Sequence, residues 1–242
     1  PASAHSWGKK LSHRLDDCRQ AFKKYFKADG QDQIIFTASA TESNNMAIKG
    51  RNWKENDFLF YTESDHASVV EAVKSQKVIK INYAILSNGE IDAESLLASL
   101  SHEMQGMIVL TWVNNQSGAI QPIENLVRQI KLKAPNLHVH VDAVQALGKM
   151  TINVEGIDSL AFSGHKFGGP KGVGGLFIRH GVKINVLLEG GGQEFGLRSS
   201  TQNYPAVHAM TMAMHYQLEH IQKHHEQYLE FKKQLMNGLH KI

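Results

Sequence analysis

The chain has 242 residues, 42% of them hydrophobic and 20% charged, with a formal net charge of +3. That length accommodates one α/β domain with a sizeable core, and so small a charge without clustered basic residues argues against a nucleic-acid partner. No apolar run approaches the ~20 residues of a membrane-spanning helix, the most apolar stretch being Met107 to Val113, and nothing at the N-terminus resembles a signal peptide.

The first predicted element is an amphipathic helix from about Trp7 to Ala28, with Leu11, Leu15, Cys18 and Phe22 along one stripe. Cys18 is the one cysteine. On an apolar stripe it reads as a small buried hydrophobe, and a single cysteine excludes an intrachain disulfide framework and fits a reducing, cytoplasmic setting. Strands follow at Gln33–Phe36, Phe58–Tyr61, Val78–Asn82, Met107–Val113, Leu137–Val141, Ser159–Ser163 and Gly175–Arg179. Helices fill most gaps, at Thr41–Lys49, Ala67–Lys74, Ala93–Leu100 and Ile123–Lys133. This alternation predicts an α/β fold: a mostly parallel seven-stranded sheet with helices on both faces. The last strands, joined by Gly-rich turns with no helix between them, predict one antiparallel strand. A long helix from about Ala206 to His240 closes the chain. Its His215, His220, His224 and His225 read as a solvated face, although His220 and His224 have the spacing at which two side chains meet.

Three places carry chemistry. Ser39-Ala40-Thr41-Glu42 has the pattern of a capping box opening a helix after a strand. Such a start directs free amides and a positive dipole end at an anion, and Thr41 can add its hydroxyl. Asp142 ends the run His138-Val139-His140-Val141, at the strand terminus that faces the ligand crevice of open α/β sheets. A buried carboxylate there needs a cation, and the protonated pyridine nitrogen of pyridoxal phosphate is one; the plainer alternative is a helix N-cap. Because side chains two apart share a strand face, His138-x-His140-x-Asp142 also admits a metal-dependent hydrolase, which leaves the phosphate cap and Gln145 unexplained. Lys166 lies in Ser163-Gly164-His165-Lys166-Phe167-Gly168-Gly169, directly after Leu160-Ala161-Phe162. At the mouth of a buried strand it is placed to form a Schiff base, provided desolvation or a nearby cation frees its amine, of which only about one in a thousand is unprotonated at pH 7.5 in an ordinary lysine. The alternative is a loop lysine facing water.

Six motifs stand in one order: Ala40-Thr41-Glu42-Ser43-Asn44-Asn45, His66, Val113-Asn114-Asn115, His140-Val141-Asp142-Ala143-Val144-Gln145, Ser163-Gly164-His165-Lys166 and Arg198-Ser199-Ser200-Thr201. Their spacing resembles that of the cysteine desulfurases, class V of the fold-type I pyridoxal-phosphate enzymes, over essentially the whole chain. The resemblance implies pyridoxal 5'-phosphate as cofactor, with Ala40, Thr41, Ser163 and His165 at its phosphate. It implies that Thr201 reaches the phosphate of the neighbouring subunit in a homodimer. His66 would stack on the ring and move protons, Gln145 would bond the phenolic oxygen with Asn115 near the same edge, Asp142 would hold the ring nitrogen, and Lys166 would carry the cofactor. The implied substrate is L-cysteine or a related amino acid, with sulfur passing as a persulfide to an acceptor scaffold protein for iron–sulfur cluster or thio-modified tRNA synthesis. Another class V enzyme, such as a selenocysteine lyase or an aminotransferase, is the alternative within the class. Ser39, Gln116 and Ser200 depart from the family's Gly, Glu and Gly. Family members also have a segment before the Pro1-Ala2-Ser3 stretch, and a smaller C-terminal domain bearing the catalytic cysteine and a carboxylate-binding arginine. Residues 1–242 therefore read as the cofactor-binding large domain, with about 206–242 a helix leading toward that small domain, and this chain by itself is expected to be inactive.

Overall fold

The structure, a computed structural model, describes residues 5–240; the expectations placed on Pro1-Ala2-Ser3 and on Lys241 and Ile242 lie outside the described residues. The chain runs α1 (Ser6–Phe26), β1 (Gln33–Thr37), α2 (Ala40–Lys49), β2 (Phe58–Tyr61), α3 (Ala67–Lys74), β3 (Ile79–Asn82), α4 (Ala93–Ala98), β4 (Gly106–Thr111), α5 (Ile123–Lys133), β5 (Leu137–Asp142), β6 (Ser159–Ser163), β7 (Gly174–Ile178), α6 (Tyr204–Glu219) and α7 (Ile221–Leu239). The seven strands form one sheet in the order β1-β7-β6-β5-β4-β2-β3. Strands β2 to β6 pair in parallel, and β7 runs antiparallel to both β6 and β1. The reason is local: β6 and β7 are joined without an α-helix, and a parallel return needs a crossover of a dozen residues or more.

Alternation along the strands assigns the two layers. Ile34, Phe36, Phe60, Ile108, Val139, Leu160, Phe162 and Phe177 pack with α1, α4, α5 and α6. Leu59, Tyr61, Met107 and Val109 pack with α3 and the end of α2, and Ile35, Leu176 and Ile178 with the middle of α2. Strands β5, β6 and β7 are buried at every position, as strands covered on both faces are, although β5 alternates apolar residues with His138, His140 and Asp142. Phe162 is stacked on Phe22 at 4.8 Å and meets Phe26 edge-on at 5.5 Å, which anchors the end of β6 one residue before Ser163. Gly174 opens β7 where a Cβ would stand 2.6 Å from the Phe162 carbonyl oxygen and 2.9 Å from the Ser39 carbonyl carbon. Only a glycine lets the start of α2 lie this close to the sheet.

Two expectations are corrected. The closing helix is two helices, α6 and α7, that meet at His220 with φ −110° and ψ 10°. The His220 ring is stacked on Tyr216 at 4.3 Å, and its Nδ1 lies 2.9 Å from the Tyr216 carbonyl oxygen. A side chain that competes for a helix carbonyl bends the helix. The β4 strand also ends at Thr111 rather than Val113, because the chain beyond it turns back on itself: the Trp112 carbonyl accepts the Gln121 amide at 2.9 Å and the Asn114 amide donates to the Ala119 carbonyl at 3.0 Å. Among the described residues no helix is long and apolar enough to cross a membrane.

Candidate active site

The carboxyl ends of β2, β4, β5 and β6 and the start of α2 converge on one edge of the sheet. At α2, Ser39 is the N-cap; its Oγ accepts the Glu42 amide at 3.3 Å, and the Glu42 carboxylate reaches back to accept the Ala38 amide at 2.7 Å. This is the capping box read from the sequence, with the return bond made to the residue before the N-cap. The Ser39 backbone is extended, with φ −171°, so serine in place of the family's glycine introduces no strain there. A carboxylate in the first turn would oppose an anion at the helix start. Arg198 offsets it with a two-pronged ion pair to Glu42, at 2.6 and 3.2 Å, which also ties the 198–201 segment to the helix.

Asp142 ends β5 and is buried. Its Oδ1 accepts the Val144 amide at 3.0 Å and its Oδ2 accepts from the Asn44 amide at 2.9 Å. Burial nonetheless pushes its carboxyl above the usual range. A turn, not a helix, follows it, so the alternative role as a helix N-cap does not apply. His66 is exposed and caps α3: its Nδ1 accepts the Ser68 amide at 3.1 Å and lies 2.9 Å from the Ser68 hydroxyl. That arrangement fills Nδ1 and leaves the proton on Nε2. After β6 a 3-10 turn, Gly164–Lys166, presents Ser163, His165 and Lys166. The Ser163 Oγ is 2.9 Å from His165 Nδ1, and Lys166 lies exposed at the rim. Partial burial, then the charges of Lys166 and Lys171, lower the pKa of His165.

A single cavity of about 230 Å³ gathers these groups. Ala40, Thr41, His66, Asn115, Asp142, Gln145, Ser163, His165 and Lys166 all line it, together with Ser39, Ser68, Thr111, Val113 and Val144. Thr201 does not; it lines a separate cavity of about 170 Å³ with Gly172, Arg198 and Ser200. The sequence motifs gave no role in the site to Asn44, whose amide carries Asp142, or to Asp65. Asn44 is signalled only as a polar residue on the buried face of α2, between Ala40 and Ala47. Asp65 is buried beside His66; it accepts the Thr111 hydroxyl at 2.7 Å and the Thr62 amide at 3.1 Å, and burial pushes its pKa up to about 7. The hydrolase alternative loses its ligands to hydrogen bonds: His138 Nε2 and His140 Nδ1 both lie 2.8 Å from the Ser159 hydroxyl. Among the described residues no three His, Cys, Asp or Glu side chains are grouped to hold a metal ion.

The segment before Thr201 is held by a buried carboxylate. Glu194 accepts from Arg19 Nη2 at 2.7 Å, from the Phe36 amide at 2.8 Å and from Gln202. Ser200, which stands where the family has glycine, has φ 119°, in the region that favours glycine. The backbone thus keeps a glycine conformation that the side chain opposes.

Comparisons with known proteins agree with one another. The family model described as "Aminotransferase class-V" matches residues 2–242. The chain is 36% identical over 222 residues to a NifS/IcsS protein homolog of Lactobacillus delbrueckii subsp. bulgaricus, covering 88% of this chain and 57% of that protein. It is 32% identical to the cysteine desulfurase IscS of Clostridium botulinum, covering 99% of this chain and 61% of that one. The chain thus spans about three fifths of the length of these curated relatives. Among solved structures, a NifS-like protein superposes with a TM-score of 0.93 at 33% identity, over all of this chain and 68% of its own. A structure titled SspA in complex with cysteine gives 0.81 at 30% identity, over 89% of this chain and 64% of its own.

Two outcomes follow from the geometry. Ser200→Gly relieves the opposed backbone and raises stability by about 1 kcal/mol, read from denaturant midpoints; an unchanged or lower midpoint contradicts the strain. For Asp65, a folded pKa near 7 lies above the unfolded value near ~3.9, so its contribution to stability is lost as pH rises from about 4 through about 7. Asp65→Asn removes that loss, and the stability of the variant relative to the parent improves between pH 5 and pH 8. A pH-independent difference would contradict the burial of an ionising group.

Proposed function

The chain belongs to the aminotransferase class-V family, and on that premise we propose that it is the pyridoxal 5'-phosphate-binding part of a cysteine desulfurase, which takes sulfur from L-cysteine and leaves L-alanine. One observation carries the reading: a helix start, a buried carboxylate and an exposed lysine line the same cavity. These are the three groups that a cofactor with a dianionic phosphate, a basic ring nitrogen and an aldehyde requires.

The residues present fit that cofactor. The first-turn amides of Ala40 and Thr41 have no partner within the helix, and with the hydroxyls of Thr41 and Ser163 and the ring of His165 they form an anion cradle. The Glu42 charge beside it is offset by Arg198. Asp142 is buried with two hydrogen-bond donors and no basic side chain of its own among its hydrogen-bond partners, so a ring N–H⁺ supplies the missing cation. When bound, the cofactor supplies an electron sink for charge that develops at the substrate's α-carbon. Lys166 then provides the amine that holds the aldehyde and afterwards takes and returns the α-proton. His66 offers a flat face to the ring and a proton on Nε2, its Nδ1 being occupied by the α3 cap. Gln145 and Asn115 supply amide groups for the phenolic edge. Thr201 is exposed and lies outside the cavity; in this reading the protein is a homodimer and Thr201 serves the second copy of the chain.

Cys18 is not the sulfur acceptor. It is buried in α1 against the core, and burial pushes its thiol pKa up, whereas sulfur transfer needs an accessible thiolate. The receiving thiolate and the onward acceptor, a scaffold protein in this reading, lie outside residues 1–242. The substrate class rests on the relatives: one is named a cysteine desulfurase, and one solved neighbour is titled as a complex with cysteine. A reducing cytoplasmic setting is part of the proposal and rests on the single thiol.

Added pyridoxal phosphate gives the parent a visible absorbance band from its covalent join to Lys166, and Lys166→Ala abolishes it; an unchanged band in the variant refutes the assignment of the lysine. Given L-cysteine, the loaded chain releases no sulfide above a blank. Sustained sulfide release refutes the statement that the accepting thiolate lies outside these residues.

A further inference from the structure

Strand β5 carries His138, His140 and Asp142 on one face, because alternate side chains point the same way. Parallel pairing sets His140 opposite Ser159 of β6, and α2 covers this face and brings in Asn44. The result is an unbroken line of buried hydrogen bonds. The Ser159 hydroxyl sits 2.8 Å from His138 Nε2 and 2.8 Å from His140 Nδ1. His140 Nε2 is 3.0 Å from Asn44 Oδ1. The Asn44 amide nitrogen donates to Asp142 Oδ2 and to the Ser68 hydroxyl, both at 2.9 Å. His140, Ser159 and Asn44 have no exposed surface, so no water relieves a mismatched pair.

The line has a direction. Both Asn44 amide hydrogens are committed, one to Asp142 and one to Ser68, and its carbonyl can only accept. His140 must therefore donate from Nε2. Burial lowers the pKa of His140 and of His138 to about 3, so each ring is neutral and carries one proton. His140 Nδ1 then accepts from the Ser159 hydroxyl, and the Ser159 oxygen accepts from His138 Nε2. The opposite direction would turn the Asn44 carbonyl onto the Asp142 carboxylate, oxygen against oxygen, which a buried site bears only if Asp142 is protonated.

We propose that His140 is a positioning residue, which holds the Asn44 amide with its NH₂ toward Asp142 and so keeps Asp142 an unprotonated acceptor for the cofactor's ring nitrogen. This rests on the function proposed above. His140 touches neither cofactor nor substrate; it acts through Asn44.

The test uses pyridoxal phosphate labelled with ¹⁵N in its ring. In the parent the bound ring nitrogen gives the signal of a protonated pyridine. His140→Leu removes the donor and shifts that signal toward an unprotonated ring, with binding weakened about tenfold, or about 1.4 kcal/mol. His140→Gln, whose amide can still donate to Asn44, restores the parent signal. A bound ring in His140→Leu that keeps the parent signal overturns the proposal, however much stability or affinity falls, because a purely structural role changes occupancy and not protonation. In the free parent at mildly alkaline pH, the ¹⁵N spectrum of His140 shows a neutral ring with its proton on Nε2. A proton on Nδ1 overturns the direction of the line even if no His140 variant folds. A parent that binds no pyridoxal phosphate overturns the functional reading and this role with it, while the Nε2 tautomer is still read independently.

Discussion

The constraint on which this molecule turns is a carboxylate whose hydrogen-bond partners are all neutral, at the end of a fully buried strand. Asp142 is 5% exposed and receives two neutral donors, the Val144 amide and the Asn44 side chain. Neutral donors offset part of the cost of removing a carboxylate from water, but they do not match a cation. The carboxyl is accordingly pushed above its usual range, and Asp65, also buried and close enough to feel the charge of Asp142, is pushed the same way. Asp142 at the end of β5 and Asp65 in the loop between β2 and α3 form an acidic pole at the carboxyl ends of the strands, and a positively charged ring nitrogen is complementary to it.

The opposite pole is built at α2. Gly174 allows the helix start to lie against β7, Ser39 and Glu42 close the first turn, and Arg198 offsets the Glu42 charge. The same Arg198 belongs to the segment that carries Ser200 and Thr201, and Glu194 fastens that segment to α1 and to β1. The anion cradle and the segment that resembles a cross-subunit contact are thus mechanically one piece. Lys166 lines the cavity that the two poles share, on a short turn whose root is clamped by Phe162 stacked on Phe22.

His66 shows how one side chain can satisfy a fold and a site together. A helix N-cap and a ring that lines a site are two separate demands on one imidazole. In the structure the Nδ1 edge caps α3 while the ring lines the cavity. The cap fixes the tautomer, so the structural role prepares the chemical one.

Much of the fold was legible in the residues themselves: the alternation of strands and helices, the seven strands, the antiparallel strand after the Gly-rich turns, and the capping box at Ser39 each follow from local patterns that need no partner to be recognised. The nine residues that share the cavity were found through motif order, because their chemistry is distinctive and their motifs lie at strand ends, at helix starts and in the turns that follow strands. Three features were not legible. The break at His220 depends on a ring stacking back on Tyr216; the ionisation of Asp65 depends on burial by neighbouring elements; and Asn44 depends on which face of α2 meets β5. Sequence by itself determined the elements and the kinds of group available, since these arise from contacts a few residues apart. Only the tertiary structure decided which groups lose water and which hydrogen bonds run in which direction, since desolvation and donor order are properties of the packed layers and not of any one segment.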